Sequence, residues 1–262
     1  MKKPVNIALF GFGRIGRNIF RLGYDNPNYK FVAVSDFGSA EALHYLLSRD
    51  SVHGSMKDDV KLEKNHLVVK DQFVRVIQGG RPGNIPWDAF DVDVVIDATG
   101  QSLSRSDLEL HLKAGAKRVF TTKNPKNKID RYVIPGINEE TIKVSDKVIS
   151  TTSSTTQVLA LMIKMLDETF GLERAMMTTV HAYTADQPLA DAAGIDLRRS
   201  RSAAENIIPN SIWIYVKSFT GNHLIDLIKA TWINNPLVRF ELILGSAGKT
   251  SYPTDAETYE FE

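Results

Sequence analysis

Three glycines in the run Gly11-Phe12-Gly13-Arg14-Ile15-Gly16 have the spacing that lets a backbone hold a phosphate without help from side chains. They follow the short apolar stretch 4–12 and open residues 17–24, where Ile19, Phe20 and Leu22 have helical spacing. In a strand–turn–helix setting the first glycine permits a tight turn. The second lets the backbone approach a pyrophosphate, and the third lets the helix pack closely. The helix then presents unbonded N–H groups and its positive dipole end to the anion. Asp36 stands twenty residues after Gly16, at the end of the next β-rich run. Its carboxylate can accept hydrogen bonds from ribose hydroxyls. These residues predict a dinucleotide site that favours NAD. NADP is the alternative, because Asp36-Phe37-Gly38-Ser39 leaves small residues where a 2′-phosphate could fit.

The elements that must position this site alternate. Strands are predicted at 30–35, at 67–78 (two strands about a Lys-Asp turn), and at 92–97, 117–121, 131–137 and 147–150. Helices are predicted at 40–48 and 106–114. Alternation of this kind implies a mostly parallel sheet with crossover helices. Residues 155–170 have a 3.6-residue period and predict a long helix capped by Thr155 or Ser154. Residues 175–181 predict a strand. Residues 211–233 mix aromatic and aliphatic side chains and are expected to be helical, and the acidic last dozen residues are expected to be loose.

Bulk properties narrow the function classes. The chain has 262 residues, 43% hydrophobic and 24% charged, enough for one large or two modest domains with a real core. The formal net charge of +1 gives no field that would draw nucleic acid or an anionic membrane. No apolar run approaches the roughly 18 residues of a membrane helix. The glycine-interrupted start does not resemble a signal peptide, so a cytoplasmic location is expected. There is no cysteine, which removes disulfides and thiol chemistry, and the six histidines lack ligand spacing, so no metal site is expected.

Several motifs in order, NIALFGFGRIGR, DSVHG at 50–54, IDATG at 96–100, AGAKRV at 114–119, PGIN at 135–138, TTVHAYTADQ at 178–187 and LRRSRSAAENIIP at 197–209, resemble glyceraldehyde-3-phosphate dehydrogenases. The related erythrose-4-phosphate dehydrogenases share them. The resemblance is in register from residue 4 to about 209. It implies an α/β chain with a Rossmann-like dinucleotide-binding domain at 1–152. A shortened, diverged α+β catalytic-type domain would follow at 153–262, with 210–262 unmatched. It implies that Gly11, Phe12, Gly13, Arg14, Ile15, Gly16, Asp36, Thr99 and Gly100 hold NAD or NADP. By the same resemblance His181 is the general base, and Ser153, Thr155, Thr184 and Arg201 bind phosphate or substrate, a small phosphorylated aldehyde. Arg199 is a less certain substitute for Arg201.

Three departures qualify this picture. The family's nucleophilic cysteine falls at Ser154. The family reaction forms a hemithioacetal, passes hydride to the nicotinamide and leaves a thioester for phosphate to cleave. A serine hydroxyl is far less acidic than a thiol, and its ester is a poorer acyl donor. Very low or no dehydrogenase activity is therefore expected. The Thr-Gly that should follow Ile-Ile-Pro is replaced by Asn210-Ser211-Ile212-Trp213, so one phosphate pocket is expected to be closed or reshaped. The remainder matches nothing in the family, Arg239 being misplaced by spacing. An incompletely built sheet would favour self-association or a protein partner.

These features fit an NAD-binding relative that acts by binding as a regulatory or structural partner. They also fit an active-site Cys-to-Ser variant of a working dehydrogenase. A third reading, acyl transfer by a Ser154–His181 pair, needs a third orienting group that the sequence does not supply.

Overall fold

The computed structural model describes residues 3–171, 175–185, 187–194, 196–214, 228–234 and 239–244. The chain divides into two compact units, Met1–Gln157 and Val158–Glu262. The first opens with β1 (Val5–Phe10), α1 (Arg14–Gly23), β2 (Tyr29–Asp36) and α2 (Ala40–Ser48). A two-stranded ribbon follows, β3 (Arg49–Asp50) with β4 (Gly54–Ser55). Then come β5 (Lys61–Glu63), β6 (His66–Val69), β7 (Gln72–Gln78), β8 (Val94–Asp97) and α3 (Arg105–Lys113). The unit's sheet is completed by β9 (Arg118–Thr121), β10 (Arg131–Tyr132) and β11 (Val148–Ser150). Helix α4 (Ser154–Phe170) begins in this unit and continues into the next.

These strands make one sheet in the order β10-β11-β9-β8-β1-β2-β7-β6-β5. Neighbours from β10 through β7 are parallel, and β6 and β5 add antiparallel edges. Alternate residues of β1 enter different cores. Ile7 and Leu9 pack with Phe20, Phe31, Leu47 and Leu67, whereas Ala8 and Phe10 pack with Trp87, Val95 and Ala116. Both faces are therefore covered, which is why β1 is a continuous apolar run and does not alternate with polar residues. The chain leaves β1 toward β2 on one side and returns at β8 on the other. This is the switch point of a doubly wound sheet, and the crevice beyond the carboxyl ends of its strands takes ligands.

The second unit contains β12 (Ala175–His181), β13 (Asn210–Ile214), β14 (Ile228–Asn234) and β15 (Arg239–Leu244), in the order β13-β14-β12-β15. β12 is parallel to β14 and antiparallel to β15.

Three local expectations are corrected. Residues 211–233 are not helical where described: 211–214 and 228–233 lie in β13 and β14, which pair with each other. Ile, Trp and Thr suit a pleated surface better than a helix. The strand expected at 131–137 stops at Tyr132, because Pro135-Gly136 follows and Gly136 takes a positive φ of 82°. The cap of α4 is Ser153, whose Oγ accepts from the Thr156 N–H at 3.2 Å. Ser154 is already the first helical residue. The acidic C-terminal dozen and residues 215–227 lie outside the described residues.

Candidate functional site

The glycine turn joins β1 to α1 at the switch point, and each glycine is required for a different reason. Gly11 has φ +91°, and a Cβ there would meet the backbone of Ala98 and Thr99 at 2.6–2.8 Å. A side chain at Gly16 would strike the carbonyl oxygen of Gly11. At Gly13 an added Cβ meets nothing within 4 Å. Two glycines thus press the turn against its own neighbours, and the middle one leaves open space beside the backbone. Gly13 caps α1 without any side-chain hydrogen bond, and the first turn of α1 carries no acidic residue. The helix therefore presents its N–H groups and positive dipole end with no acidic side chain in its own first turn.

Phe12 is anchored from both directions. Its N–H donates to Asp36 Oδ2 at 2.7 Å, and its carbonyl accepts from Arg17 Nη1 at 3.0 Å. Burial lowers the Arg17 pKa, while the carboxylates of Asp50 and Asp36 oppose that effect. The Phe12 ring is fully buried and packs edge-on against Phe20. Of the residues expected to bind the cofactor, Phe12 has its side chain buried and Gly13, Arg14 and Ile15 are exposed around the helix start.

Asp36 also accepts from the Gly38 N–H at 3.0 Å, so its carboxylate ties the glycine turn to the end of β2. It lines a cleft of about 130 Å3 together with Phe10, Gly11, Ser35, Phe37, Gly79, Gly80, Thr99 and Gln101. Thr99 was expected here from the motif resemblance. Gly100 follows it with a positive φ of 75°. Phe10, Ser35, Phe37, Gly79, Gly80 and Gln101 were not expected. Gly79-Gly80, at the end of a β-rich run, is the one signal that could have suggested a backbone lining. Phe37 is 77% exposed at the rim and offers a flat apolar face beside the carboxylate.

The hydroxyl-rich turn before α4 is built differently. Thr152 sits at φ +64°, a region costly for a β-branched residue, with its hydroxyl buried and unpartnered among the described residues. Ser153 Oγ lies 2.7 Å from Thr156 Oγ1 and 3.2 Å from Thr155 Oγ1. Ser154, expected from the motif resemblance to stand in place of the family's cysteine, is exposed at the helix start.

In the second unit His181 ends β12. Its Nδ1 lies 2.6 Å from the Ala182 carbonyl, which can only accept, so Nδ1 carries the proton and Nε2 is the basic nitrogen. The Thr184 N–H donates to Gln187 Oε1 at 3.1 Å. Arg201 pairs with Asp191 at 2.7 Å, and Arg198 lies 3.6 Å from Asp196. The basic run expected to meet a phosphate is thus partly engaged by acidic residues of its own loop. Among the described residues no cluster of His, Cys, Asp or Glu could hold a metal ion, and no helix is long and apolar enough to cross a membrane.

Comparison of the sequence with known proteins identifies the family. Residues 5–105 fit the family model described as glyceraldehyde 3-phosphate dehydrogenase, NAD binding domain, and residues 153–220 fit its C-terminal domain. The chain belongs to the glyceraldehyde-3-phosphate dehydrogenase family. The Mycoplasma pneumoniae glyceraldehyde-3-phosphate dehydrogenase is 42% identical over 209 residues, 80% of this chain and 62% of that protein. The enzyme of that name from Geobacillus stearothermophilus is 44% identical over 210 residues, 79% of this chain and 62% of its own length. That from Thermotoga maritima is 42% identical over 207 residues, 78% and 62% respectively. The chain thus spans about three-fifths of the length of the curated relatives it matches. The family's C-terminal model extends to residue 220, past the point near 209 where the motif resemblance fades.

Proposed function

We propose that the first unit holds NAD, with the pyrophosphate over Gly13 and the start of α1 and the adenosine ribose at Asp36. We propose further that the chain as written scarcely oxidises an aldehyde. The observation that carries the reading is the division of labour among the glycines: Gly11 and Gly16 are packed against backbone, and the space beside Gly13 is open. NAD, when bound, supplies the hydride acceptor. Asp36 favours it over NADP, because a 2′-phosphate would bring negative charge to a carboxylate already fixed by two backbone N–H groups. Phe37 supplies apolar surface for the adenine at the rim.

The resemblance assigns attack on the aldehyde to residue 154. A serine there keeps its proton at neutral pH, where a cysteine beside a base would ionise. The resemblance also gives His181 the role of general base, and with its proton on Nδ1 the basic nitrogen is Nε2. Thr184 and Arg201 are the proposed contacts for a phosphorylated small-molecule substrate, with Arg201 exchanging Asp191 for the phosphate.

Calorimetric titration of the full chain tests the cofactor assignment. NAD is expected to bind at least about tenfold more tightly than NADP, the equivalent of ~1.4 kcal/mol. Asp36→Ala should narrow the gap, and equal affinities in the unaltered chain would sink the ribose assignment. Ser154→Cys tests the chemistry. NADH formation from glyceraldehyde 3-phosphate and phosphate should rise well above that of the parent. Absence of turnover with NAD bound would show that the hydroxyl is not what withholds activity.

A further inference from the structure

Beneath the cleft lies a buried polar chain that the proposed reaction does not use. His111, on α3, is fully buried, as is Trp87. The Trp87 indole Nε1–H donates to His111 Nδ1 at 3.0 Å. An indole nitrogen can only donate, so Nδ1 must be the unprotonated nitrogen and the neutral ring carries its hydrogen on Nε2. Nε2 faces Asp97 Oδ2 at 3.9 Å. Asp97 is 1% exposed at the end of β8, and among the described residues neither of these facing atoms has a hydrogen-bond partner.

Both ends of this arrangement reach the cleft. The other carboxylate oxygen of Asp97, Oδ1, accepts from Thr99 N–H at 3.1 Å and from Thr99 Oγ1 at 2.8 Å, and Thr99 lines the cleft. Phe10, also in the lining, meets the His111 ring edge-to-face at 4.7 Å between centroids. The imidazole therefore touches both supports of the cleft: the aromatic ring at the end of β1 and the carboxylate that sets the turn after β8. A gap of 3.9 Å is about 1 Å longer than a hydrogen bond and too short for an intervening water. Leaving a buried donor and a buried carboxylate oxygen unmet is costly. A small ring rotation, or a small shift of the carboxylate, closes the contact. Because Oδ1 is bonded to Thr99, that shift moves Thr99.

We propose that His111 is a positioning residue for the dinucleotide cleft: occupancy of the cleft and closure of the His111–Asp97 hydrogen bond favour each other through Thr99 and Phe10. This rests on the reading of the cleft as the NAD site. Trp87 fixes the tautomer that makes His111 a donor toward Asp97, and so is part of the same device.

Two variants of the full chain separate positioning from mere filling of space. His111→Leu keeps apolar volume but removes both nitrogen functions. His111→Gln can accept from Trp87 through its amide oxygen and donate to Asp97 through its amide nitrogen. NAD affinity should fall about tenfold in His111→Leu and recover to within about threefold in His111→Gln, a coupling of ordinary size. The spectroscopic readout is the Trp87 indole N–H resonance in the unaltered chain, assigned by its loss in Trp87→Phe. It should move when NAD is added.

A His111→Leu chain that is folded and binds NAD as tightly as the parent overturns the proposal. So does a Trp87 resonance that stays fixed on saturation. If His111→Leu does not fold, the Trp87 shift and the His111→Gln affinity decide, and loss of binding in a folded His111→Gln counts against the hydrogen-bond mechanism. If the unaltered chain does not bind NAD at all, the reading of the cleft fails first and the proposal with it.

Discussion

Two strand-to-helix turns in this chain look alike in sequence economy and differ in what they leave available. The turn at 11–16 and the turn at 152–156 each place a left-handed residue before a helix start. In the first that residue is Gly11 at φ +91°, which costs little, and the helix cap is a glycine with no side chain to offer. In the second it is Thr152 at φ +64°, and the cap is Ser153, whose hydroxyl already serves the Thr156 N–H. One helix start is stripped for a visitor. The other is closed by its own hydroxyls, and its backbone strain is retained two residues before Ser154, the proposed place of the nucleophile.

The contrast breaks most decisively at Gly11. Gly11→Ala adds a Cβ into the Ala98–Thr99 backbone and forces alanine into the left-handed region. The expected loss is about 3 kcal/mol or more, read as a fall in denaturant midpoint. Gly13→Ala is the control within the same turn. With open space at that position, its fold should hold within about 0.5 kcal/mol while NAD affinity drops. If both alanines were equally well tolerated, the packing account of the turn would be wrong.

At the second turn a smaller change is expected. Ser153→Ala removes the cap of α4 and should cost about 1 kcal/mol in chemical unfolding. No change would mean that Thr155 or Thr156 takes over the cap. The smallest effect is a gain. Thr152→Gly relieves the left-handed strain and deletes a buried unmet hydroxyl, against the added freedom of the unfolded chain. A net stabilisation of about 0.5 kcal/mol should appear as a raised melting temperature. Destabilisation instead would show that the threonine methyl packs well enough to outweigh the strain.

The same two turns show why one site was readable and the other was not. Glycine spacing maps directly onto geometry, so Gly11, Gly13, Gly16 and Asp36 could be assigned physical roles from the sequence. The run Thr151-Thr152-Ser153-Ser154-Thr155-Thr156 offers six hydroxyl residues in a row, all with oxygens able to cap a helix. Nothing local selects among them, and the cap was expected one or two residues too late. Residues 211–233 were misread for a different reason. Their Ile, Trp and Thr content carried a strand signal, but among the described residues β13 pairs with β14, and β14 also with β12, some fifty residues earlier in the chain. Asp97 and His111 escaped notice because a strand end and a helix fourteen residues later have no periodic relation. Only the packed sheet brings them together.

The position of β1 in its sheet also bears on the order of assembly in time. β1 can pair with β2 almost as soon as the intervening helix is made. Its other neighbour is far later in the chain: Asn6 hydrogen-bonds Asp93 across 87 residues. At ordinary translation rates of about 5–20 residues per second that interval lasts roughly 4–17 s, long compared with the microseconds in which a helix or hairpin forms. During it one edge of β1, rich in valine, isoleucine, leucine and phenylalanine, has no strand beside it. The nascent chain thus carries its central strand half-paired, and the sequence that builds the cofactor crevice also sets the period in which the chain most needs protection from its neighbours.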